Sequence, residues 1–205
     1  MSGDPVTPPA RREILAMGVA LAATSAVKAA PLARRQRQMS GKPDPRPAGS
    51  DGFDFLLGHW TVRHRRLAKR LAGSTDWIEF PGTLDVDPIL GGAGDIDRNV
   101  LEDPKGRYLA TSLRLFDPHT REWSIYWIDG RGPTVTNPVV GRFDGRIGHF
   151  YNNDNLGGRP IKVRFIYEDL GASAARWSQA FSPDAGQTWE VNWTMDFTRR
   201  AKNRS

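Results

Sequence analysis

The feature that most constrains the fold is a run of ten residues near the C-terminus in which apolar and polar side chains alternate. In residues 189–198 every odd position holds a large apolar side chain and every even position a polar one. Successive side chains of a β-strand point to opposite faces, so this period of two predicts a strand with one buried and one solvated face. The chain is therefore expected to be built from half-buried strands.

Similar alternation recurs from residue 53 onward, which predicts nine further strands. They are residues 60–67, 77–86, 96–101, 108–116, 122–129, 139–143, 149–152, 161–168 and 175–181. Residues typical of turns separate them, at 80–82, 91–94, 103–106, 117–119, 129–130, 144–145, 152–158 and 182–186. Strands joined by tight turns are antiparallel, and such a meander closes most simply into a barrel without exposed edges. We therefore expect an all-β, antiparallel up-and-down barrel of about 8–10 strands over residues 51–200.

The first 29 residues predict an export signal. Arg11 and Arg12 precede an uncharged stretch rich in Ala and Leu at residues 14–27, and small side chains allow cleavage after Ala29. This stretch is shorter than the roughly 20 residues that a membrane-spanning helix needs, so no membrane anchor is expected. Paired arginines before an apolar stretch are typical of twin-arginine export. The product is expected to be periplasmic or secreted; a cytosolic amphipathic or disordered extension is the alternative.

The positive charge of the chain lies at its ends. The formal net charge is +6, but residues 1–50 and 199–205 together carry +9, whereas residues 51–198 hold 17 basic against 20 acidic side chains. Residues 30–50 are expected to be a disordered basic linker and residues 201–205 a basic tail. A nucleic-acid-binding domain would carry its positive charge on the folded part. No nucleic-acid partner is therefore predicted, and the oligomeric state is left open.

One motif suggests how the barrel ends are closed. Gly58-His59-Trp60 opens the first strand and Arg199 closes the last. This pair resembles the lipocalin-like (calycin) barrels, in which a Gly-x-Trp seals one end and a basic side chain from the last strand packs across the indole. More broadly, residues 53–198 resemble an uncharacterised family of exported bacterial proteins, a domain of unknown function with a lipocalin-like barrel. The resemblance implies fold and export, and no activity.

A second motif, Ser182-Pro183-Asp184-Ala185-Gly186-Gln187-Thr188-Trp189, is similar to the Asp-box hairpin of sialidase propellers. In that hairpin the Asp and Ser bind turn amides and the Trp packs the turn against the sheet. Propellers repeat the hairpin in each blade, whereas here it occurs once. The motif is therefore interpreted as a folding device.

Few residues offer catalytic or metal chemistry. The chain has no cysteine, which excludes disulfides and thiol chemistry. His59 and His64 fall on opposite strand faces and cannot chelate one metal, so no metal site is predicted. The spaced pairs Asp85/Asp87 and Asp95/Asp97 each share one face, and we interpret both as turn caps or solvated side chains.

The seven tryptophans favour a ligand cavity over a solid core, although both interpretations stay open. Trp127, Trp177 and Trp193 are expected to form its walls. Gln179 and His64 would add polarity and Trp60 would close the floor. The sequence thus predicts an exported barrel that binds a small apolar or aromatic molecule as carrier, scavenger or sensor.

Two alternatives remain at this stage. The first is an enzyme of the same fold, with His64 or Glu79 as general base on a small cyclic or carbonyl substrate. The second is a haem-binding barrel ligated through one histidine, which is less favoured; the cofactor is otherwise unknown. An inward histidine beside a carboxylate would favour the enzyme, and an aromatic pocket without titrating groups would favour the binder.

Overall fold

The computed structural model describes residues 46–201, which form a closed barrel of ten antiparallel strands. The strands are β1 (Gly58–Leu67), β2 (Trp77–Ile89), β3 (Gly94–Leu101), β4 (Tyr108–Asp117), β5 (Glu122–Asp129), β6 (Val139–Asp144), β7 (Ile147–Leu156), β8 (Arg159–Asp169), β9 (Ala174–Ser182) and β10 (Glu190–Arg199). Each strand pairs with the next, and β10 pairs with β1. The predicted all-β, up-and-down barrel is confirmed. The predicted signal peptide, residues 30–45 of the predicted linker and residues 202–205 of the predicted tail lie outside the described residues.

The two ends of the barrel differ in how they are covered. In an up-and-down barrel alternate connections lie at the same end, so the segment before β1 shares its end with the loops after β2, β4, β6 and β8. This segment contains a short 3-10 helix (Asp54–Leu56), and Phe53 is buried against Trp123 and Tyr167, with ring centroids 5.0 Å away in each case. We call this aromatic-filled end the floor. The opposite end, with the loops after β1, β3, β5, β7 and β9, is the mouth.

Strand β2 is longer than the sequence suggests. Residues 80–82 were expected to form a turn, but β2 runs through them without interruption. Pro81 accepts a hydrogen bond through its carbonyl from the Glu102 N–H, one residue beyond the end of β3. Pro81 has no N–H to donate, but the residue that faces it lies beyond the end of β3. The absence of this donor therefore breaks no hydrogen bond between β2 and β3. The expected turn at residues 152–158 also shrinks to Gly157 and Gly158, both with positive φ as two-residue hairpin turns require.

A β-bulge changes the face of one predicted core residue in β10. The register with β9 shifts between Val191 and Trp193, which leaves Asn192 as the extra residue. Val191 is consequently exposed, although its odd position in the alternating run predicted burial. Asn192 is buried instead and accepts a hydrogen bond from Gln179 Nε2 at 2.8 Å. The alternation holds again from Trp193 onward.

The Asp-box segment between β9 and β10 forms the hairpin that its sequence predicts. Ser182 Oγ accepts a hydrogen bond from the Gly186 N–H at 2.8 Å, and Asp184 Oδ1 accepts one from the Thr188 N–H at 2.9 Å. Hydrogen bonds from Thr188 and Ser182 lower the pKa of Asp184 to about 2. Trp189 Nε1 donates to the Gly186 carbonyl at 3.0 Å. These contacts are local, as expected for a folding device.

Candidate functional site

The barrel encloses a cavity of about 280 Å³ that opens toward the mouth. Its lining comes from side chains that point inward from the strands, with Leu56 of the floor segment at one end and Arg70, Arg131 and Asn137 of the mouth loops at the other. That is many times the ~10–15 Å³ of such space that one water molecule needs. The cavity is therefore large enough for a molecule of one or two rings.

Three indoles form one wall of the cavity. Trp127, Trp177 and Trp193 all line it, as the sequence predicts. The Trp193 ring lies edge-on to both others, with centroid distances of 6.0 Å to Trp127 and 5.7 Å to Trp177. Gln179 lines the same wall, with its Nε2 already bonded to Asn192. This arrangement offers flat apolar surfaces and the remaining polarity of one amide.

His64 points inward, as predicted, but it does not line the cavity. Its ring stacks on Phe80 at 4.7 Å and lies behind Trp193, whose Nε1 donates to His64 Nδ1 at 3.3 Å. Gly82 makes room for the ring, since a Cβ there would lie 2.6 Å from His64 Nε2. His64 therefore fixes the orientation of one indole wall and offers no nitrogen to the cavity as a base or haem ligand. Its expected place in the binding set is corrected accordingly.

The electrostatic environment keeps His64 neutral. Burial, followed by repulsion from Arg66, lowers the pKa of His64 from 6.5 to about 3. The guanidinium of Arg66 lies over the Trp193 ring at 5.4 Å and is paired with Asp103. A protonated His64 would place a second cation against the same indole without a carboxylate partner of its own. The imidazole therefore acts as a hydrogen-bond acceptor for Trp193 over the physiological pH range.

Glu79, the second candidate for a general base, lies on the outside of the barrel. It is exposed and accepts a hydrogen bond from Arg65 Nε at 2.8 Å. The reason is the strand period: Phe80 and Gly82 of β2 face inward, so the odd position beside them faces solvent. Glu79 and His64 consequently lie on opposite sides of the sheet and cannot act on one substrate.

Trp60 closes the floor, as the sequence predicts, although it lies beneath the cavity and does not line it. Its Nε1 donates to the Leu56 carbonyl at 2.7 Å. The Arg199 guanidinium stacks on its ring at 4.0 Å and donates to the carbonyls of Leu57 at 2.7 Å and Phe55 at 2.6 Å. This geometry matches the expected packing of a basic side chain across the indole, and it ties the segment before β1 to the last strand.

A buried ion cluster, which we call the Arg114 triad, lies above the floor and was not predicted. Arg114 of β4 bonds Asp95 through Nε at 2.6 Å and Asp97 through a terminal nitrogen at 3.0 Å. All three residues are no more than 2% exposed. The interpretation of Asp95 and Asp97 as turn caps or solvated side chains is wrong, because β3 turns them inward and exposes Ile96 instead. The other pair behaves as expected: Asp85 bonds His59 and Asp87 bonds Arg98 on the outer face.

The two carboxylates of the Arg114 triad differ in their hydrogen bonds. Asp97 accepts on both oxygens, from the Ser112 N–H at 2.7 Å and from Arg114. Asp95 accepts on Oδ1, whereas its buried Oδ2 has no partner. Burial raises the pKa of Asp95 more than the attraction of Arg114 lowers it. Burial alone would lower the pKa of Arg114, but the two carboxylates outweigh it and raise that pKa.

The mouth carries two arginines in different states. Arg131 is held by Asp129, with its Nε 2.9 Å and a terminal nitrogen 2.6 Å from the carboxylate oxygens, and it lies 3.7 Å from the Tyr108 ring centroid. Arg70 lies over Phe181 and Trp193, at 5.5 and 5.7 Å from their ring centroids. Within residues 46–201, no carboxylate lies within ion-pair distance of Arg70. Arg131 is therefore compensated by Asp129, whereas Arg70 has no ion pair in the part of the chain that the structure describes; Asp154 of β7 also lines the mouth, so its charges balance overall.

Comparisons with protein-family models and with curated proteins found no match for this chain. Among residues 46–201, no three His, Asp or Glu side chains are grouped so that they could hold a metal ion. No helix in that part of the chain has the length and apolar character needed to cross a membrane. The function is therefore argued from the geometry of the cavity.

Proposed function

We propose that this chain is an exported, lipocalin-like barrel that binds a small, largely aromatic molecule in its interior, as a carrier, scavenger or sensor. The observation that carries the proposal is the cavity of about 280 Å³ whose wall is made of Trp127, Trp177 and Trp193. Protein interiors are normally packed without voids of this size. A space walled by indoles and reached from one end is the arrangement expected of a ligand site.

The geometry of the indoles favours a flat ligand. Aromatic rings attract one another in stacked or edge-to-face arrangements, each worth about 0.5–1.5 kcal/mol beyond the apolar area that they bury. Trp193 is nearly perpendicular to Trp127 and Trp177, so the wall presents indole surfaces in more than one orientation. A planar molecule of one or two rings can use these surfaces.

The closed end supports both the lipocalin-like assignment and a single route of entry. Trp60, stacked under Arg199, is the feature on which the calycin resemblance rests. Phe53 and Leu56 are buried beneath the cavity, so a ligand would enter from the mouth. The paired arginines at Arg11 and Arg12 support export by the twin-arginine route.

The enzymatic alternative loses its two candidates, since His64 is shielded behind Trp193 and Glu79 faces solvent. Asp97 lines the cavity, but both of its oxygens already accept hydrogen bonds from N–H donors. A general base needs a lone pair directed at the substrate. Binding is therefore the function that the cavity supports best.

The proposal is tested by blocking the cavity. Val163 of β8 is buried and lines it, whereas Val191 is exposed on the outside of β10. We expect saturable binding of naphthalene-2-carboxamide, followed by tryptophan fluorescence and calorimetry. Val163→Phe should weaken this binding at least about tenfold, and the matched control Val191→Phe should leave it unchanged. Equal affinity in both variants, or no binding of one- and two-ring aromatic amides by the folded wild-type chain, would overturn the proposal.

A further inference from the structure

Within residues 46–201 Arg70 forms no ion pair, although Glu190 attracts it from beyond ion-pair distance. It belongs to the loop after β1 and is partly buried at the mouth of the cavity, over the faces of Phe181 and Trp193. Burial, with added repulsion from Arg66, lowers the pKa of Arg70. Because a partly desolvated guanidinium gains most from an anion, this position is suited to an oxyanion supplied from outside.

The loop that carries Arg70 is held in place. The N–H of Leu71 donates to Glu190 Oε1 at 2.7 Å, which ties the loop to the start of β10. This contact engages Glu190 Oε1 with the backbone, and Glu190 attracts Arg70 without forming an ion pair with it. The cation is thus positioned before any ligand arrives, which lowers the ordering cost of binding.

Two buried polar atoms in the cavity wall also lack partners. Asn99 Oδ1 is an unpaired acceptor and Trp177 Nε1 an unpaired donor, and both side chains are at least nine-tenths buried and line the cavity. An unpaired buried polar group costs about 1–3 kcal/mol. Asp97 and Arg114, by contrast, form an ion pair with each other. They therefore offer a ligand no comparable unpaired atom deeper in the cavity.

We propose that the ligand is an aromatic carboxylate, with its carboxylate held by Arg70 at the mouth and a polar substituent on its ring system meeting Asn99 Oδ1 or Trp177 Nε1. This inference rests on the proposed function and narrows it to one chemical class. A hydroxyl or amide substituent can donate to Asn99 Oδ1 or accept from Trp177 Nε1, two separate positions on β3 and β9. The indole wall holds the ring body between these two contacts.

The test compares probes that share one ring body and differ in charge. Naphthalene-2-carboxylate, naphthalene-2-carboxamide and 2-naphthylmethylammonium are titrated into the full folded barrel by calorimetry. We expect the carboxylate to bind at least about tenfold more tightly than the amide and the ammonium most weakly. Arg70→Gln should remove this carboxylate advantage and change amide binding less than about twofold. The control Arg98→Gln removes the same charge from the outer face and should preserve the full order.

The contact with Asn99 Oδ1 is tested separately. A 6-hydroxyl group on naphthalene-2-carboxylate should strengthen binding to the wild-type chain about fivefold or more, and Asn99→Leu should abolish that gain. Equal binding of all three charge probes, or an unchanged carboxylate advantage in Arg70→Gln, would overturn the anion inference while leaving the aromatic cavity intact. Tightest binding of the ammonium would overturn it in favour of Asp154 at the mouth as anchor. Failure of every probe would contradict the proposed function itself.

Discussion

The floor and the cavity wall of this barrel treat buried polar groups in opposite ways. At the floor, Trp60 Nε1 donates to Leu56, and Arg199 donates to carbonyls of the segment before β1. In the wall, Trp177 Nε1 and Asn99 Oδ1 are buried without a partner. Both regions are aromatic, so composition does not separate them. Hydrogen-bond saturation separates these two regions, although unpaired buried atoms also occur outside both, on His64, Asp95, Tyr108 and Arg164.

This difference suggests which interactions serve stability and which serve binding. The Arg114 triad lies between the floor and the cavity wall and marks the boundary between them. Arg114 and Asp97 have hydrogen-bond partners, as the groups of the floor do, whereas Asp95 Oδ2 has none. We expect substitutions below this boundary to lower the free energy of unfolding. Substitutions above it should mainly change ligand affinity.

The largest expected effect follows from removing the cation of the triad. Arg114→Met leaves Asp95 and Asp97 buried without a counter-charge, and we expect a loss of about 3–5 kcal/mol in the free energy of unfolding. Urea denaturation measures it. Arg98→Met, which breaks an exposed ion pair with Asp87, serves as control and should keep the wild-type midpoint. A loss below about 1 kcal/mol in Arg114→Met would contradict the view that the triad holds the lower half together.

The next effect concerns pH and His64. Its pKa falls to about 3 in the folded barrel, so below pH 6.5 the unfolded chain takes up a proton that the folded chain excludes. The free energy of unfolding should therefore decrease as pH falls from 6.5 toward 3, by about 2 kcal/mol at pH 5. His64→Gln keeps a hydrogen-bond acceptor for Trp193, but its free energy of unfolding should lack this dependence on pH. The measurement is the difference between wild type and variant from pH 7.5 to 5, and parallel profiles would refute the neutral, buried histidine.

A matched pair of indole substitutions compares the two regions directly. Trp60→Phe breaks the bond to the Leu56 carbonyl and removes the platform for Arg199, and we expect it to lower the free energy of unfolding by about 2–3 kcal/mol. Trp177→Phe removes an N–H that had no partner, and it should cost about 1 kcal/mol or less. The affinity for naphthalene-2-carboxylate should fall more in Trp177→Phe than in Trp60→Phe. Equal stability losses would remove the distinction between floor and wall.

The smallest effect tests the corrected position of Glu79. Its exposed pair with Arg65 should contribute no more than about 0.5 kcal/mol, so Glu79→Gln should unfold close to the wild-type urea midpoint. The variant should also bind naphthalene-2-carboxamide with unchanged affinity. A marked loss of affinity would show that Glu79 contributes to ligand binding.

Much of the fold could be predicted because strand periodicity is a local signal. The alternation over residues 189–198 and the turns between the other runs predicted ten strands and their antiparallel order. The floor contact of Trp60 and Arg199 was also predictable from the motif. The burial of Asn192 was not, because a β-bulge depends on the register with β9.

The Arg114 triad had a signal that periodicity alone misreads. Ile96 suggested that the odd positions of β3 face solvent, yet Asp95 lies opposite Arg114 in the register. Arg114 shares a face with Tyr108 and Phe116, which places a charge on an inward face and calls for acidic partners on the neighbouring strand. The tryptophans favoured a cavity over a solid core, but its size could not be predicted, because it depends on side-chain volumes summed over the whole barrel.

The most direct test follows the seven indole N–H groups by nuclear magnetic resonance in protein carrying nitrogen-labelled tryptophan. Naphthalene-2-carboxylate is titrated into the wild-type barrel. We predict that the Trp177 Nε1–H resonance shifts saturably, because this donor gains a partner or a ring neighbour, while the Trp60 resonance stays in place beneath the cavity. A stationary Trp177 resonance, or equal shifts of Trp177 and Trp60, would contradict the claim that the cavity wall is the binding site.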